Sequence, residues 1–216
     1  MGSIVASLVH GDLTYAFIFI CASAVCDFLD GFSARLLKQY SDIGVQLDSL
    51  ADMVSFGVAP SVAMSVLCGN MPSIFALEGI WAEVLCYVPF LIAAFSALRL
   101  AKFNIDTTQQ EEFCGLPTPA SAILVLSVAA ITEMKAIEIG LEWLVLIAVL
   151  VALLLISPIR MFSFKFKSWG WANNKLRYIF IAVACLLIIS IQLYAIPAII
   201  VLYIAVSTVK WLLCKR

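Results

Sequence analysis

Four aspartates within 26 residues are the part of the sequence best suited to chemistry. Asp27 and Asp30 lie three positions apart, and Asp48 and Asp52 lie four apart, so each pair shares one face if its segment is an α-helix. Only a short linker separates the two segments, so we expect antiparallel helices whose carboxylates converge. Such a cluster repels itself unless cations bind it, and an all-oxygen donor set suits Mg²⁺, Mn²⁺ or Ca²⁺. The pattern therefore predicts a divalent-metal site.

Residues beside the aspartates indicate a ligand that carries phosphate. Gly31 and Gly44 lack side chains and would let a ligand approach the backbone closely. Arg35 can bind a pyrophosphate through two parallel hydrogen bonds, and Ser33 offers a further hydroxyl. The alternative is that the aspartates cap helices or pair with Arg35 and Lys38 at a membrane surface, which explains two such residues more readily than four.

The composition indicates where such a site must lie. Of 216 residues, 64% are hydrophobic and 12% are charged, against about 45–50% and about 25% in soluble domains. A water-soluble fold of this size cannot hide so much apolar surface, so the chain needs lipid around it. Thirteen basic and 14 acidic residues leave no basic surface for nucleic acid. Seven scattered cysteines without a CxxC pair are interpreted as small apolar side chains.

Seven apolar stretches are long enough to span a bilayer, and turn sequences separate them. We predict an all-α fold, a polytopic transmembrane helical bundle, that forms a single membrane domain over residues 1–216. In it, residues 13–122 carry the aspartates and 123–216 add further spans. Residues 1–9 are predicted to end a longer helix. The predicted spans are residues 13–37, 46–68, 80–102, 117–134, 141–158, 175–192 and 194–213.

The basic residues predict the orientation of these spans. Twelve of the thirteen fall on one side of the alternating topology, and only Lys135 falls on the other. Because loops rich in Lys and Arg face the cytosol, we expect an integral multi-pass membrane protein whose aspartate cluster faces the cytosol. The twelve are Arg35, Lys38, Arg99, Lys102, Arg160, Lys165, Lys167, Lys175, Arg177, Lys210, Lys215 and Arg216.

The spacing of eight residues in this region resembles a known signature. At all eight positions the residues resemble the signature of the CDP-alcohol phosphatidyltransferase family. In this sequence the pattern reads Asp27-x2-Asp30-Gly31-x2-Ala34-Arg35-x8-Gly44-x3-Asp48-x3-Asp52.

The resemblance implies that the four aspartates hold two divalent metals per site, Mg²⁺ or Mn²⁺ with Ca²⁺ as a further candidate, and that these grip the pyrophosphate of a CDP-linked substrate. It implies that Asp52 acts as general base, although a ligand role remains open. It also implies a nucleotide site lined by Gly31, Ala34, Arg35 and Gly44, to which the sequence adds Ser33.

Three further stretches, 47–60, 99–104 and 115–120, are similar to the membrane-embedded phosphatidylserine synthases of that family. This resemblance implies transfer of a phosphatidyl group from CDP-diacylglycerol to L-serine in phospholipid biosynthesis, with release of CMP. It also implies a homodimer in the lipid bilayer. Members of the family carry a helix before the signature, so the first span is expected to be largely missing here.

The acceptor site is predicted less directly. Serine carries a carboxylate, which Arg99 or Lys102 could hold. The alternative is that both side chains extend to the membrane interface and anchor a span. Thr118, between two prolines, either shapes the acceptor pocket or begins a helix.

Other functions make different demands on the sequence. A phosphate-bearing acceptor, glycerol 3-phosphate or an inositol phosphate, would want more than one dedicated Arg or Lys near the site. A cation transporter would carry polar residues deep in several helices, and the later spans contain almost none. A prenyl-transferring membrane enzyme would place its aspartate clusters on well-separated helices.

Overall fold

The computed structural model describes residues 1–37, 41–76, 79–105, 113–134, 139–161 and 171–214. Two π-helical segments, Ala6–His10 and Met53–Val58, continue α1 and α3, and a 3-10 turn, Gln192–Tyr194, joins the last two helices. The elements are α1 Gly2–Val5, α2 Leu13–Leu37, α3 Asp42–Asp52, α4 Ala59–Asn70, α5 Ile80–Tyr87, α6 Phe90–Ile105, β1 Phe113–Cys114, α7 Thr118–Glu133, α8 Leu141–Leu155, β2 Arg160–Met161, α9 Trp171–Ile191 and α10 Ala195–Cys214.

The predicted all-α membrane bundle is confirmed, and helices occupy each of the seven predicted spans. The last long apolar stretch, 40 residues, contains both α9 and α10. Helices α7 and α8 are apolar but have only 16 and 15 residues, about 24 Å or less at 1.5 Å per residue. Within the described part of the chain, the stretches long and apolar enough to cross a membrane are Leu13–Ala34, Ile43–Asn70, Ile80–Ile105 and Asn174–Leu213.

Two of the predicted spans are not single regular α-helices. The span predicted at 46–68 consists of α3, the π-helical segment Met53–Val58 and α4. The span predicted at 80–102 divides into α5 and α6 at Val88 and Pro89, where proline has no N–H to continue the helical hydrogen bonds. Hydropathy reveals neither the π-helical segment nor the turn at Pro89, because the segments on both sides of each are apolar.

Helix α7 lies at the centre of the bundle. It packs against α2, α4, α8 and α10 and against the π-helical segment Met53–Val58. Small residues on α7, among them Ser121, Ala122, Ala129 and Ala130, are fully buried, and such residues let neighbouring helix backbones approach closely. The short length of α7 therefore fits a helix enclosed by other helices rather than one exposed to lipid.

The last residue of α7 holds the beginning of α2. The Glu133 carboxylate accepts hydrogen bonds from the backbone N–H of Leu13 at 2.9 Å and of Thr14 at 3.0 Å, and from the Thr14 hydroxyl at 3.2 Å. The first N–H groups of a helix have no partner within it, and a carboxylate there also complements the helix dipole. This long-range cap fixes the helix that carries Asp27 and Asp30.

A short strand pair, which the sequence did not predict, joins residues 113–114 to residues 160–161 in antiparallel fashion. Gly115 follows with φ of +76°, and its N–H donates to the Ile159 carbonyl at 2.9 Å. A Cβ atom at Gly115 would lie 2.3 Å from the Leu155 carbonyl oxygen. Only glycine fits this position, because both the backbone conformation and the space exclude a side chain.

The Gly115 contact yields a stability prediction with a matched control. Gly11 also has a positive φ, +63°, but a Cβ there meets nothing within 4 Å. We expect Gly11→Ala to cost about 1–2 kcal/mol from the left-handed backbone alone. Gly115→Ala should cost about 3–5 kcal/mol, because overpacking adds to the backbone term. Thermal unfolding of both variants in the same detergent measures the difference, and equal melting temperatures would contradict the close approach to Leu155.

Candidate active site

Three of the four predicted aspartates meet between the C-terminal half of α2 and the middle of α3. Carboxylate oxygens of Asp27, Asp30 and Asp48 all lie within 4.8 Å of one another. Asp27 is half-buried, and Asp30 and Asp48 are exposed. The helical spacing on α2 places its two carboxylates on one face, and α3 brings the third to them. The predicted convergence on one site is therefore present for these three residues.

Asp52, the last residue of α3, lies near both these three aspartates and a positively charged side chain. Its half-buried carboxylate interacts electrostatically with the three other aspartates and with Arg99 of α6. Asp52 therefore lies within electrostatic range of both the three negative carboxylates and one positive guanidinium. A group in this position can bind a cation together with the trio or take up a proton from a ligand held near Arg99.

The donor set of the trio fits a divalent metal of the hard type. All its donors are carboxylate oxygens, and no histidine or cysteine belongs to the cluster among the residues that the structure describes. Mg²⁺, Mn²⁺ and Ca²⁺ prefer such ligands, whereas zinc sites generally include nitrogen or sulfur. Oxygens this close together also repel one another, and a bound cation would relieve that repulsion.

The π-helical segment Met53–Val58 sets the distance from Asp52 to α6. Gly57 lies in this segment, and a Cβ atom there would be 3.1 Å from the Cβ of Ser96. Ser96 is one turn before Arg99 on α6, so the absent side chain allows α6 to come close enough for Arg99 to face Asp52. The Gly57 carbonyl accepts a hydrogen bond from the Ser61 hydroxyl at 2.8 Å. Single π-helical turns are common at functional sites.

A second contact, which the sequence did not predict, holds α3 against α6. The Asn104 side-chain amide donates to the Ser49 hydroxyl at 2.9 Å, and that hydroxyl lies 3.3 Å from the Asn104 carbonyl oxygen. Ser49 is the neighbour of Asp48 in sequence. The pair therefore positions the α3 carboxylates relative to Arg99, which lies on the same helix as Asn104.

Gly44 lies in the first turn of α3. Its N–H donates to the hydroxyl of Ser41, the residue that caps this helix, at 3.0 Å. A Cβ atom at Gly44 would lie 2.9 Å from the same hydroxyl. The glycine thus permits the helix cap and leaves the exposed backbone of this turn accessible to a ligand.

The other predicted nucleotide-site residues follow the aspartates on α2. Gly31 and Ala34 are half-buried, and Ser33 is exposed. The Ser33 hydroxyl donates to the Leu29 carbonyl of its own helix at 2.7 Å, so its oxygen remains available only as an acceptor in this arrangement. Arg35 is part of α2, but its side chain lies outside the described part of the structure.

The three predicted acceptor-site residues lie in one region. Arg99 is only 8% exposed, and its guanidinium donates to the Thr118 hydroxyl at 3.4 Å. Arg99 Nε is buried and has no hydrogen-bond partner among the residues that the structure describes. Because Arg99 is buried, its side chain does not extend to the membrane interface. Lys102, by contrast, is exposed.

A cavity of about 240 Å³ opens beside Arg99. Its wall combines α6, the residue before Gly115 and the end of α8, so the strand pair and the Gly115 turn border it. A buried cation next to an open space is the arrangement that an anionic ligand group would complete. The lining residues are Arg99, Lys102, Phe103, Cys114, Leu155, Ile156, Ser157 and Pro158.

Sequence reasoning missed one buried polar residue near Arg99. Tyr203 of α10 is only 8% exposed and lies within electrostatic range of the guanidinium, although 104 positions separate it from Arg99 in sequence. A tyrosine in the middle of an apolar helix was the signal available, but an isolated tyrosine does not identify its partner.

The sequence profile of the CDP-alcohol phosphatidyltransferase family matches residues 1–156. A CDP-diacylglycerol–serine O-phosphatidyltransferase of Helicobacter pylori is 34% identical over 207 residues, which cover 92% of this chain and 82% of that protein. The protein of the same name from Methanocaldococcus jannaschii is 35% identical over 183 residues, 85% of this chain and 78% of that protein. Another, from Bacillus subtilis, is 40% identical over 114 residues, 52% of this chain and 59% of that protein.

The matched residues include the aspartates, the π-helical segment and Arg99. The resemblance seen in the spacing of eight residues thus extends over more than half of the chain. With the profile match and relatives above 30% identity that span most of both proteins, the chain belongs to the CDP-alcohol phosphatidyltransferase family.

Proposed function

We propose that this membrane protein transfers the phosphatidyl group of CDP-diacylglycerol to the hydroxyl of L-serine, which releases CMP and forms phosphatidylserine. The proposal is supported by three clustered carboxylates and by Asp52, which lies within electrostatic range of both these carboxylates and the buried Arg99. The carboxylates suit a metal-bound pyrophosphate, and Arg99 suits an acceptor with a carboxylate. Relatives that share the whole region bear the name of this activity.

The metal ligands are proposed to be Asp27, Asp30, Asp48 and Asp52, which would hold two divalent cations, Mg²⁺ or Mn²⁺ with Ca²⁺ as a further candidate. When bound, such ions neutralise the charge of the pyrophosphate and of the departing CMP. The closeness of three of these carboxylates supports this assignment.

The nucleotide is proposed to bind beside the metal ligands on α2 and at the first turn of α3. Gly31, Ala34 and Gly44 would let its phosphates and ribose approach the backbone, since none of these residues has a side chain beyond Cβ. Arg35 would contribute a two-pronged hydrogen bond to the pyrophosphate. The Ser33 oxygen would accept a hydrogen bond or, after rotation, donate one.

Asp52 is proposed as the general base. Its carboxylate takes the proton of the serine hydroxyl while the hydroxyl oxygen attacks the phosphorus that bears diacylglycerol. The bond from this phosphorus to the CMP oxygen breaks, and CMP leaves with the electron pair of that bond. Proton transfer by a positioned side chain contributes about 10²–10⁴-fold in such reactions.

Arg99 is proposed to hold the serine carboxylate. Its buried Nε has no hydrogen-bond partner among the described residues, and Arg99 lines the cavity. Hydrogen bonds between an arginine and a carboxylate are among the strongest in proteins. Thr118 would fix the guanidinium from the side of α7 through the observed contact. Lys102 would add positive charge at the exposed edge of the same cavity.

The site is proposed to face the cytosol, which supplies nucleotide and serine, while the lipid tails of the donor stay in the bilayer. The proposal rests on the twelve basic residues that fall on one side of the topology. We further propose that residues 1–216 act as one membrane domain and that two copies form a homodimer.

Product analysis tests the proposed reaction. The purified protein receives CDP-diacylglycerol, Mg²⁺ or Mn²⁺, and one labelled alcohol at a time: serine, glycerol 3-phosphate or an inositol phosphate. We expect labelled phosphatidylserine and CMP in equal amounts, and no product when EDTA is present. Product from a phosphate-bearing alcohol instead of serine would contradict the acceptor, and transfer at full rate with EDTA would contradict the metal site.

Asp52→Asn separates the base role from a ligand role. Asparagine retains one oxygen toward a metal but cannot accept the serine proton, so we expect transfer to fall about 10²-fold or more while CDP-diacylglycerol binding persists. The control is Asp12→Asn, since Asp12 caps the N–H of Tyr15 at the other end of α2 and asparagine caps equally well. Rates are measured over a range of metal concentrations. Full recovery at high metal would assign Asp52 to ligand binding alone.

Arg99→Lys tests the acceptor pocket. Lysine keeps the charge but loses the planar fork, so we expect the KM for serine to rise about tenfold or more while the KM for CDP-diacylglycerol changes little. The same exchange at Arg177 of α9, whose guanidinium bonds to Asn174, should leave both constants unchanged. A normal KM for serine in Arg99→Lys would remove Arg99 from the acceptor site.

A further inference from the structure

Helix α3 supplies two of the proposed metal ligands, Asp48 and Asp52, but it has little buried surface of its own. Every residue from Ile43 to Ala51 is exposed except Ser49, which is half-buried. A segment with so few buried side chains opens locally at low free-energy cost, and its carboxylates repel those that it meets on α2. A contact outside the carboxylate cluster is therefore needed to hold α3 in place.

Ser49 makes such a contact with α6. Its hydroxyl donates to the Val45 carbonyl of its own helix at 3.1 Å and accepts a hydrogen bond from the Asn104 amide at 2.9 Å, the usual length of an N–H···O bond. Helix α6 is anchored in the bundle by buried residues that include Ile92 and Leu100. The hydrogen bond thus joins an exposed helix to a well-packed one.

The position of Ser49 on α3 determines what this hydrogen bond controls. Ser49 follows Asp48 directly and precedes Asp52 by three residues, so Ser49 and Asp52 are neighbours on one face of the helix. Successive residues of an α-helix are about 100° apart, and a rotation of α3 by that amount would turn Asp48 away from the carboxylates of α2. A bond that fixes Ser49 therefore fixes the direction of both α3 carboxylates.

We propose that Asn104 is a positioning residue for the divalent-metal site: through Ser49, it holds α3 in the rotation at which Asp48 joins the carboxylates of α2. The inference rests on the proposed function, since it concerns the same metal ligands. Asn104 is exposed and needs no contact with metal or substrate for this role. Because one hydrogen bond contributes little to the stability of a whole bundle, its loss should alter metal affinity rather than unfolding.

Equilibrium binding of Mn²⁺, followed by electron paramagnetic resonance in the absence of serine, tests this role independently of turnover. We expect Asn104→Ala and Ser49→Ala each to weaken Mn²⁺ binding about three- to tenfold, the effect of one lost hydrogen bond. Because both substitutions break the same bond, the double variant should bind no more weakly than either single variant. Ser49→Thr retains the hydroxyl and should bind Mn²⁺ as the wild type does.

The matched control is Ser190→Ala on α9. The Ser190 hydroxyl donates to the Leu186 carbonyl of its own helix at 2.8 Å, and the residue is exposed and outside the proposed site. This substitution therefore removes the same kind of intrahelical bond as Ser49→Ala without affecting α3 or α6. We expect the Mn²⁺ affinity and the melting temperature of this variant to equal those of the wild type.

The outcomes distinguish this inference from the proposed function. If the wild type binds Mn²⁺ but makes no phosphatidylserine, the proposed reaction is wrong, and the binding data still decide the role of Asn104. Wild-type Mn²⁺ affinity in Asn104→Ala, or additive losses in the double variant, would overturn the positioning role. Weaker binding together with a lower melting temperature in both single variants would assign the pair a purely structural role. Absence of Mn²⁺ binding by the wild type would also overturn the inference, since there would be no metal site to position.

Discussion

Electrostatic repulsion among carboxylates is the constraint on which the remaining structure depends. Oxygens of Asp27, Asp30 and Asp48 lie within 4.8 Å of one another, and Asp52 adds a fourth negative group. Each of these charges disfavours the others, so the fold must hold them together by contacts made elsewhere. Glu133 caps the far end of α2, Asn104 binds beside Asp48, and neither contact involves the aspartates themselves.

The same arrangement accounts for how two unlike substrates could meet. The negative groups on α2 and α3 suit a metal-bound pyrophosphate, and the buried Arg99 suits an anionic acceptor. The close approach of Gly57 to Ser96 brings α6 to α3, so Asp52 interacts with both regions. Packing between helices, rather than any single side chain, thus sets the separation of donor and acceptor.

Much of the fold was predictable because its signals are local. Runs of apolar residues located the helices of the seven predicted spans, and the spacing of the aspartates placed three carboxylates together. The break at Pro89, the π-helical segment after Asp52 and the contacts of Glu133 and Tyr203 were not predictable in the same way. They arise where distant segments pack, and neither hydropathy nor residue spacing reports which distant segments meet.

Counting bound Mn²⁺ by electron paramagnetic resonance tests whether the clustered aspartates hold metal ions. In the presence of CDP-diacylglycerol we expect two bound Mn²⁺ per chain, and Asp27→Asn, Asp30→Asn and Asp48→Asn should each weaken binding about tenfold or more. Asp12→Asn, which changes a carboxylate remote from the cluster, should bind as the wild type does. Absence of Mn²⁺ binding by the wild-type protein, or equal binding by all variants, would show that these aspartates do not form a metal site.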